Sequence, residues 1–478
     1  MGKDRRMKPS IFQPTEELLR RNPLIKTSGV KLIKKMREHP DAPCWNHEAG
    51  DRIDGEGLKA LKAFERGLGT RRVRPKPGSP SGEEIAWVKA LRPRVLSFNH
   101  RIHPGLDLEA EWEEIATMSR EDVRIGVEKL VPLDADLGQL IVYKTAGTTG
   151  HPLLVPHHPR AAACYQPMLA FALGKYGIRP RFGPGMVACM LICAQAQTVA
   201  YPTVLSFWNG AGFAKININP SEWPTPESPH RYFKEFSPFF LTGDPISFSE
   251  MMKMKIPVKP AALVTTAVAL SAGLKTRLEK TYKCPVIDWY SLTETGPIGY
   301  ACPKGHGYHV LPHDLYVEAV DEDGRPVKEG ERGEITVTGG RNPFLPLLRY
   351  RTGDWGRLDF GRCSCGDPMP RIMDLEGRAP VLFRAPGGSI INPVDVSRVL
   401  REFPLVQHEF RQGTDLSCDL EVRPIAGPDS IDKEKVIGAL RNLFGPELKV
   451  KVRVNPRLGN RRRGGKTIPY QSDLLLEE

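Results

Sequence analysis

The sequence predicts an α/β protein: a large N-terminal domain with mostly parallel sheets covered by helices, followed by a small C-terminal α+β domain. Three observations on the 478 residues point there. Between about 140 and 300, short apolar runs alternate with helix-like stretches, the pattern of parallel strands whose crossovers lay helices on a sheet. From 308 to 360 the texture becomes strand–turn–strand, and beyond 378 a compact mixture of both follows. A chain this long exceeds what one small core organises, so two or three domains are expected.

In chain order, residues 1 to about 95 alternate helical patches with polar breaks. Glu16 to Arg21 and Gly29 to Glu38 carry apolar residues at three- and four-residue spacing, which predicts helices. Pro75 to Gly82 reads as a loop, and Gly82-Glu-Glu opens the next helix. This region shows no catalytic constellation and completes the large domain. Arg160 to Gly174 is helix-like, and Gly185 to Cys193 reads as a buried strand. Ala261 to Thr266 is a strand, Ser271 to Lys280 a helix, and Pro285 to Tyr290 a further strand. In such folds ligands sit at the carboxyl ends of strands. Leu315 to Val320, a turn at Asp321-Glu-Asp-Gly324 and Gly333 to Thr338 make a hairpin-like unit. The domain boundary falls near Glu376. Beyond it, Val381–Arg384, Cys418–Val422 and Val450–Val454 are strand-like around helices near Pro393–Phe403 and Asp432–Phe444.

Composition narrows the function classes. Hydrophobic residues make up 40% and charged residues 26%, ordinary for a soluble globular chain. The net charge of +12 suits nucleic acid or anionic small molecules equally. The basic residues are dispersed apart from Arg461-Arg-Arg463 and lack aromatic interleaving, so no nucleic-acid partner is expected. Met186 to Trp208 carries no charge, but Gln195, Gln197 and Pro202 in its middle argue against a membrane span and for two buried elements joined by a turn. The N-terminal Met1-Gly-Lys-Asp-Arg-Arg-Met-Lys8 has no apolar core of a secretory signal. With nine scattered cysteines, this points to the reducing cytoplasm and not to disulfides.

The stretch around which the chain is organised is Tyr143-Lys-Thr-Ala-Gly-Thr-Thr-Gly-His-Pro152. Gly147 and Gly150 let a ligand approach the backbone, and Thr145, Thr148 and Thr149 add hydroxyls to successive N–H groups, a donor surface suited to phosphate oxygens. No Lys follows Gly150, so this is not the P-loop NTPase spacing. A second constellation is Cys302, His309, Cys363 and Cys365. Cys-x-Cys-Gly presents two thiolates on a tight turn, and the upstream Cys/His pair completes a tetrahedron for structural zinc, with His306 a competing ligand. Ordinary buried residues in a cytosolic protein are the alternative.

Thr145-Ala-Gly-Thr-Thr-Gly-His-Pro152 resembles the phosphate loop of adenylate-forming enzymes, the superfamily of acyl-CoA synthetases, luciferases and peptide-synthetase adenylation domains. Tyr290-Ser-Leu-Thr-Glu294, Arg349-Tyr-Arg-Thr-Gly-Asp354, Gly377-Arg378 and Gly464-Gly-Lys466 follow in that family's order. Pro346 to Asp354 and Cys363-Ser-Cys-Gly366 are similar to the phenylacetate–CoA ligase branch, whose members also show a Cys, a Gly-Tyr-His and a Cys-x-Cys-Gly. The resemblance implies that Thr148, Thr149, Gly147 and Gly150 hold phosphates. It gives Tyr290 the adenine, Thr293 the α-phosphate and Glu294 a Mg²⁺ ion. Asp354 takes the ribose with Arg378 as accessory, and Lys466 bridges carboxylate and phosphate from a mobile C-terminal domain. Three departures stand out: the family's Lys after the loop proline is Leu153, Ala379-Pro380 occupy the hinge, and Thr265-Thr-Ala-Val268 replaces the Gly-Ala-Glu-like adenine loop common in the branch.

The reaction so implied is ATP- and Mg²⁺-dependent activation of an aryl or other small carboxylic acid as acyl-adenylate, then transfer to coenzyme A. An amine, hydroxyl or carrier-protein thiol as acceptor, and a non-catalytic nucleotide-binding protein, are the alternatives. The domains are then 1–376, adenylation, and 377–478, carrying the lysine. Oligomeric state is left open between monomer and homodimer.

Overall fold

The structure, a computed structural model, describes residues 15–70, 80–144, 153–312, 314–376, 381–400, 402–424, 427–456, 458 and 470–474. Its strands, in chain order, begin with a hairpin of β1 (Ile141–Lys144) and β2 (Leu154–His157). Then come β3 (Val187–Cys193), β4 (Tyr201–Leu205), β5 (Ala211–Asn217), β6 (Phe240–Gly243), β7 (Leu263–Thr265) and β8 (Val286–Leu292). They are followed by β9 (Gly296–Ala301), β10 (Tyr308–Val310), β11 (Leu315–Val320), β12 (Arg332–Gly339), β13 (Leu347–Asp359) and β14 (Arg371–Glu376). Strands β3 to β14 form one twelve-stranded sheet in the order β11-β12-β13-β14-β10-β9-β8-β7-β6-β3-β5-β4.

The α/β class is found, and the parallel run lies where strand–helix alternation predicts it: β5, β3, β6, β7 and β8 pair in parallel. The strand–turn–strand stretch supplies the antiparallel continuation, with β8 parallel to β7 on one side and antiparallel to β9 on the other. Alternation along the parallel strands separates two cores. Met190, Leu241, Leu263 and Val286 pack with helix residues Ile33, Phe233, Phe248 and Leu278 on one face. Ala188, Phe240, Val264 and Ile287 pack with Leu61, Met168 and Leu173 on the other. Burial on both faces is why these strands read as unbroken apolar runs.

The helix expected over Arg160–Gly174 is two helices, Pro159–Ala163 and Tyr165–Lys175. Pro167 has no N–H to bond the carbonyl of Ala163, so the first helix cannot run on through it. The charge-free stretch 186–208 holds two buried elements as expected; of the two alternatives, a pair of strands or a strand and a helix, it is the pair of strands β3 and β4, with β5 inserted between them in the sheet. No helix among the described residues is long and apolar enough to cross a membrane.

Past residue 381 a two-stranded ribbon of β15 (Phe383–Arg384) and β16 (Ile390–Ile391) precedes β17 (Leu405–Gln412), β18 (Cys418–Pro424), β19 (Val450–Val454) and β20 (Tyr470–Ser472). The last four form a separate sheet. Helices Pro393–Leu400 and Lys433–Phe444 cover it through Val396, Val436 and Phe444 against Phe410 and Leu420, a core distinct from those of the large sheet. The helix Pro393–Leu400 also touches the loop after β3: Asp395 Oδ2 accepts the Ala196 N–H at 2.9 Å, and Arg398 donates to the Gln197 carbonyl.

Candidate active site

The arms of the candidate phosphate loop are β1 and β2, whose register pairs Lys144 with Leu154. Thr145, Gly147, Thr148, Thr149 and Gly150 lie outside the described residues, as do Arg378 and Lys466. Lys144 at the loop's entrance is exposed. Leu153, where the superfamily places a lysine, is fully buried in the core beside Val155. The departure is therefore one of environment as well as residue: a lysine at this backbone position would enter an apolar core.

Facing these arms are the ends of β8 and the middle of β13. Tyr290 sits near the end of β8 and is buried, and its phenol lies 3.2 Å from Asp354 Oδ2 and 3.3 Å from Thr352 Oγ1. From the other side, the Tyr350 phenol donates to Glu294 Oε1 at 2.7 Å. Each motif thus lends a tyrosine to the carboxylate of the other, and in each the tyrosine precedes its own carboxylate by four positions. Burial first, and then the neighbouring carboxylate, push both phenols well above their ordinary range, so both stay protonated and donate. Glu294 is only 4% exposed, and Arg120 Nη1 lies 3.7 Å from the same Oε1.

Thr293 is fixed through its carbonyl by His157 of β2, at 2.9 Å from Nε2. Burial pushes the imidazole pKa down and keeps the ring neutral; Nε2–H donates, and Nδ1 is buried without a partner among the described residues. Sequence reading missed His157, Tyr350 and Arg120. Four-residue spacing of tyrosine and carboxylate in both motifs was the available signal for Tyr350. The first motif arginine, Arg349, is a core residue: its guanidinium bonds Glu318 at 3.0 Å and the carbonyls of Ile115 and Gly324 at 2.6 and 2.7 Å.

At the neighbouring strand end, Thr265 Oγ1 donates to Asp288 at 2.9 Å and Thr266 Oγ1 lies 3.2 Å from Ser291 Oγ, which puts Thr265–Val268 beside the Tyr290 turn. Trp208 packs on Phe182 and Phe240, and Tyr201 lies on the edge strand β4 against Phe213.

Cys302, His309, Cys363 and Cys365 come together with their ligand atoms all within 4.8 Å of one another. Cys302 follows β9, His309 lies on β10, and the two other cysteines lie between β13 and β14. Gly307, at φ +69° and against the Ile372 carbonyl, makes the turn that returns His309 to Cys302. His309 Nδ1 lies 3.2 Å from the Met369 carbonyl and donates to it, which leaves Nε2 facing Cys365 Sγ at 3.1 Å. Backbone N–H groups of Lys304 and Asp367 point at Cys302 and Cys365 Sγ, each at 3.4 Å. Three sulfurs, one oriented imidazole nitrogen and N–H donors behind the sulfurs suit a closed tetrahedral Zn²⁺ site. His306 is exposed and outside the group.

The AMP-binding enzyme family matches residues 94–342, more than half of the chain. The phenylacetate–coenzyme A ligase of Thermus thermophilus is 26% identical over 298 residues, 59% of this chain and 65% of that protein. The match thus spans slightly less than two thirds of that relative's length. The phenylacetate–coenzyme A ligase of Escherichia coli is 32% identical over 104 residues, 21% of this chain and 24% of that one. Among solved structures, a 2-hydroxyisobutyryl-CoA ligase in complex with 2-HIB-AMP and CoA in the thioesterification state superposes with a TM-score of 0.55 at 17% identity, covering 87% of this chain and 91% of that one. The structural likeness shows a shared fold over most of the chain, and the family match covers the loop, its arms and the Tyr290–Glu294 turn. The chain belongs to the AMP-binding enzyme family of adenylate-forming enzymes, on its phenylacetate–CoA ligase-like branch.

Proposed function

We propose that this chain is an AMP-forming acid–thiol ligase that adenylates an aryl or other small carboxylic acid and passes the acyl group to coenzyme A. The observation that carries the reading is the crossed pair Tyr290–Asp354 and Tyr350–Glu294, which holds two carboxylates at fixed positions beside the arms of the loop. Phenylacetate–CoA ligases among the relatives favour an aryl acid and coenzyme A over other substrates.

In the first step a carboxylate oxygen of the acid attacks the α-phosphorus of ATP, and pyrophosphate leaves with the electron pair of the broken P–O bond. Both reactants are anionic, so oriented donors and positive charge have to meet them. Thr145, Thr148, Thr149 and the backbone of Gly147 and Gly150 hold the phosphates, Thr293 meets the α-phosphate, and Lys466 spans acid and phosphate. Asp354, with Arg378 beside it, accepts from the ribose hydroxyls, while Tyr290 closes the adenine side. A Mg²⁺ ion fits Glu294, a hard oxygen donor whose Oε1 is already oriented by Tyr350, and it would neutralise charge on the phosphates it shares. In the second step the coenzyme A sulfur attacks the acyl carbon, AMP leaves and the thiol proton goes to solvent.

The domains are then 1–376 for adenylation and 377–478 for the lysine. The cysteine–histidine group would hold one structural Zn²⁺ outside the reaction path.

Pyrophosphate release is the test, with a panel of aryl and short aliphatic acids, each with and without coenzyme A. Acid-dependent pyrophosphate and AMP, with a thioester when coenzyme A is present, are expected. Pyrophosphate and AMP with a product only on an amine or carrier protein would change the acceptor, and no acid-dependent pyrophosphate at all would sink the reading.

A further inference from the structure

The segment just after β12 carries two adjacent polar residues, Arg341 and Asn342, that belong to none of the motifs above. Their side chains diverge. Arg341 Nη2 donates to the carbonyls of Thr295 and Pro297 at 3.1 and 2.7 Å, on either side of Gly296 at φ +69°. Its Nη1 lies 3.1 Å from Met168 Sδ on the helix Tyr165–Lys175. Asn342 Nδ2 donates to the Pro156 carbonyl at 2.6 Å, and its Oδ1 accepts the His158 N–H at 3.3 Å. One side chain thus grips the backbone directly after Glu294, and its neighbour grips the returning arm of the phosphate-loop hairpin. His157, between the two residues held by Asn342, bonds the Thr293 carbonyl from the same arm.

Among the described residues the Arg341 guanidinium bonds carbonyls and a thioether, not a carboxylate, and its Nε is buried without a partner. Burial pushes its pKa down to about 10, so it stays cationic at neutral pH. A fork of N–H groups spent on two carbonyls of one turn fixes that turn's orientation, which a point-charge ammonium does not do.

We infer that Arg341 and Asn342 are positioning residues: they clamp the loop-bearing β1–β2 hairpin and the Thr293–Pro297 turn in one register, so that phosphate donors and Glu294 meet the same nucleotide. The inference rests on the adenylation reading for its effect on rate, but the clamp itself is a physical linkage with its own readout.

The test uses the full chain with Arg341→Lys and Asn342→Ala. Hydrogen exchange of 153–158 and 290–297 accelerates together in either variant, while the sheet of β17 to β20 keeps its protection. With an acid that the wild type accepts, kcat for pyrophosphate release falls on the order of 10²-fold in Arg341→Lys. KM for the acid and thioester formation from supplied acyl-adenylate change by no more than about twofold. Unchanged exchange in both segments, or a full rate with lysine at 341, overturns the clamp. Uniform loosening of the large domain, or equal loss of both half-reactions, also overturns it, because a merely structural residue would behave so. A wild type inert toward every acid sinks the functional reading instead, and the exchange experiment still decides the clamp.

Discussion

Tyr350 differs from phenylalanine by one oxygen, and that oxygen donates to Glu294 at 2.7 Å. A hydrogen bond to a charged group contributes roughly 1.5–3 kcal/mol, more than a tenfold effect on an equilibrium it orients. Tyr350→Phe should therefore raise the Mg²⁺ concentration for half-maximal pyrophosphate release about tenfold, with the fold intact because the ring still fills its place. Glu294→Gln should raise it further, since a neutral amide is a poorer ligand for a hard cation. A Mg²⁺ titration of Tyr350→Phe that overlays the wild type, beside a shifted one for Glu294→Gln, would reduce Tyr350 to packing. At this scale the sequence revealed residue types well and directions poorly. Glu294 and Asp354 were nominated from their motifs, yet nothing local says that the phenol of Tyr290 points at Asp354, or that Arg349 in the same motif turns inward to Glu318. Those directions come from twist and pairing across strands far apart in the chain.

Between elements, the cysteine–histidine group staples the β9–β10 turn to the connection between β13 and β14. Purified protein is expected to carry about one equivalent of zinc by elemental analysis. Chelation should lower Tm first, with activity following only as the large domain loosens. Cys363→Ser should mimic chelation and the core Cys189→Ser should not; metal-free protein of unchanged Tm would leave the four as ordinary buried residues. This group was legible because Cys-x-Cys-Gly is a local turn with a fixed outcome, and the exposure of His306 removes the competing ligand. A second staple was not legible: Arg231 of the helix Ser228–Phe236 bonds Asp41 at 2.8 Å. The guanidinium beside it holds the Asp41 carboxyl down at about 2. Because the folded value is depressed, the stabilisation is present above the ordinary value of about 3.9 and is lost as pH falls toward 2. Asp41→Asn should lower Tm at neutral pH, and its gap to the wild type should close through that acid window. A gap independent of pH would assign the loss to packing.

On the scale of the molecule, the class was legible and the continuity was not. Parallel strands buried on both faces announce themselves as apolar runs, whereas the joining of parallel and antiparallel halves through β8 depends on pairings no local pattern encodes. The C-terminal unit has its own sheet and core, and it meets the large one through Asp395 and Arg398 at the loop after β3. A unit with a separate core, polar in its described contacts with its neighbour, can be repositioned at modest cost. The resemblance assigns the family lysine to Lys466, which lies outside the described residues. If Lys466 serves the step in which charge develops between carboxylate and α-phosphate, Lys466→Ala removes one preorganised cation there, a loss on the order of 10²–10³ in rate. ATP binding should weaken far less, because Asp354 and Glu294, the proposed ribose and Mg²⁺ residues, lie on the large sheet and in its loops. Thioester formation from supplied acyl-adenylate should survive, since the C-terminal unit would present another face for that step. The two half-reactions are measured separately, by pyrophosphate release and by thioester yield. Equal loss in both would remove Lys466 from the adenylation step, and an unchanged first half-reaction would leave the charge to be supplied by Arg120 beside Glu294.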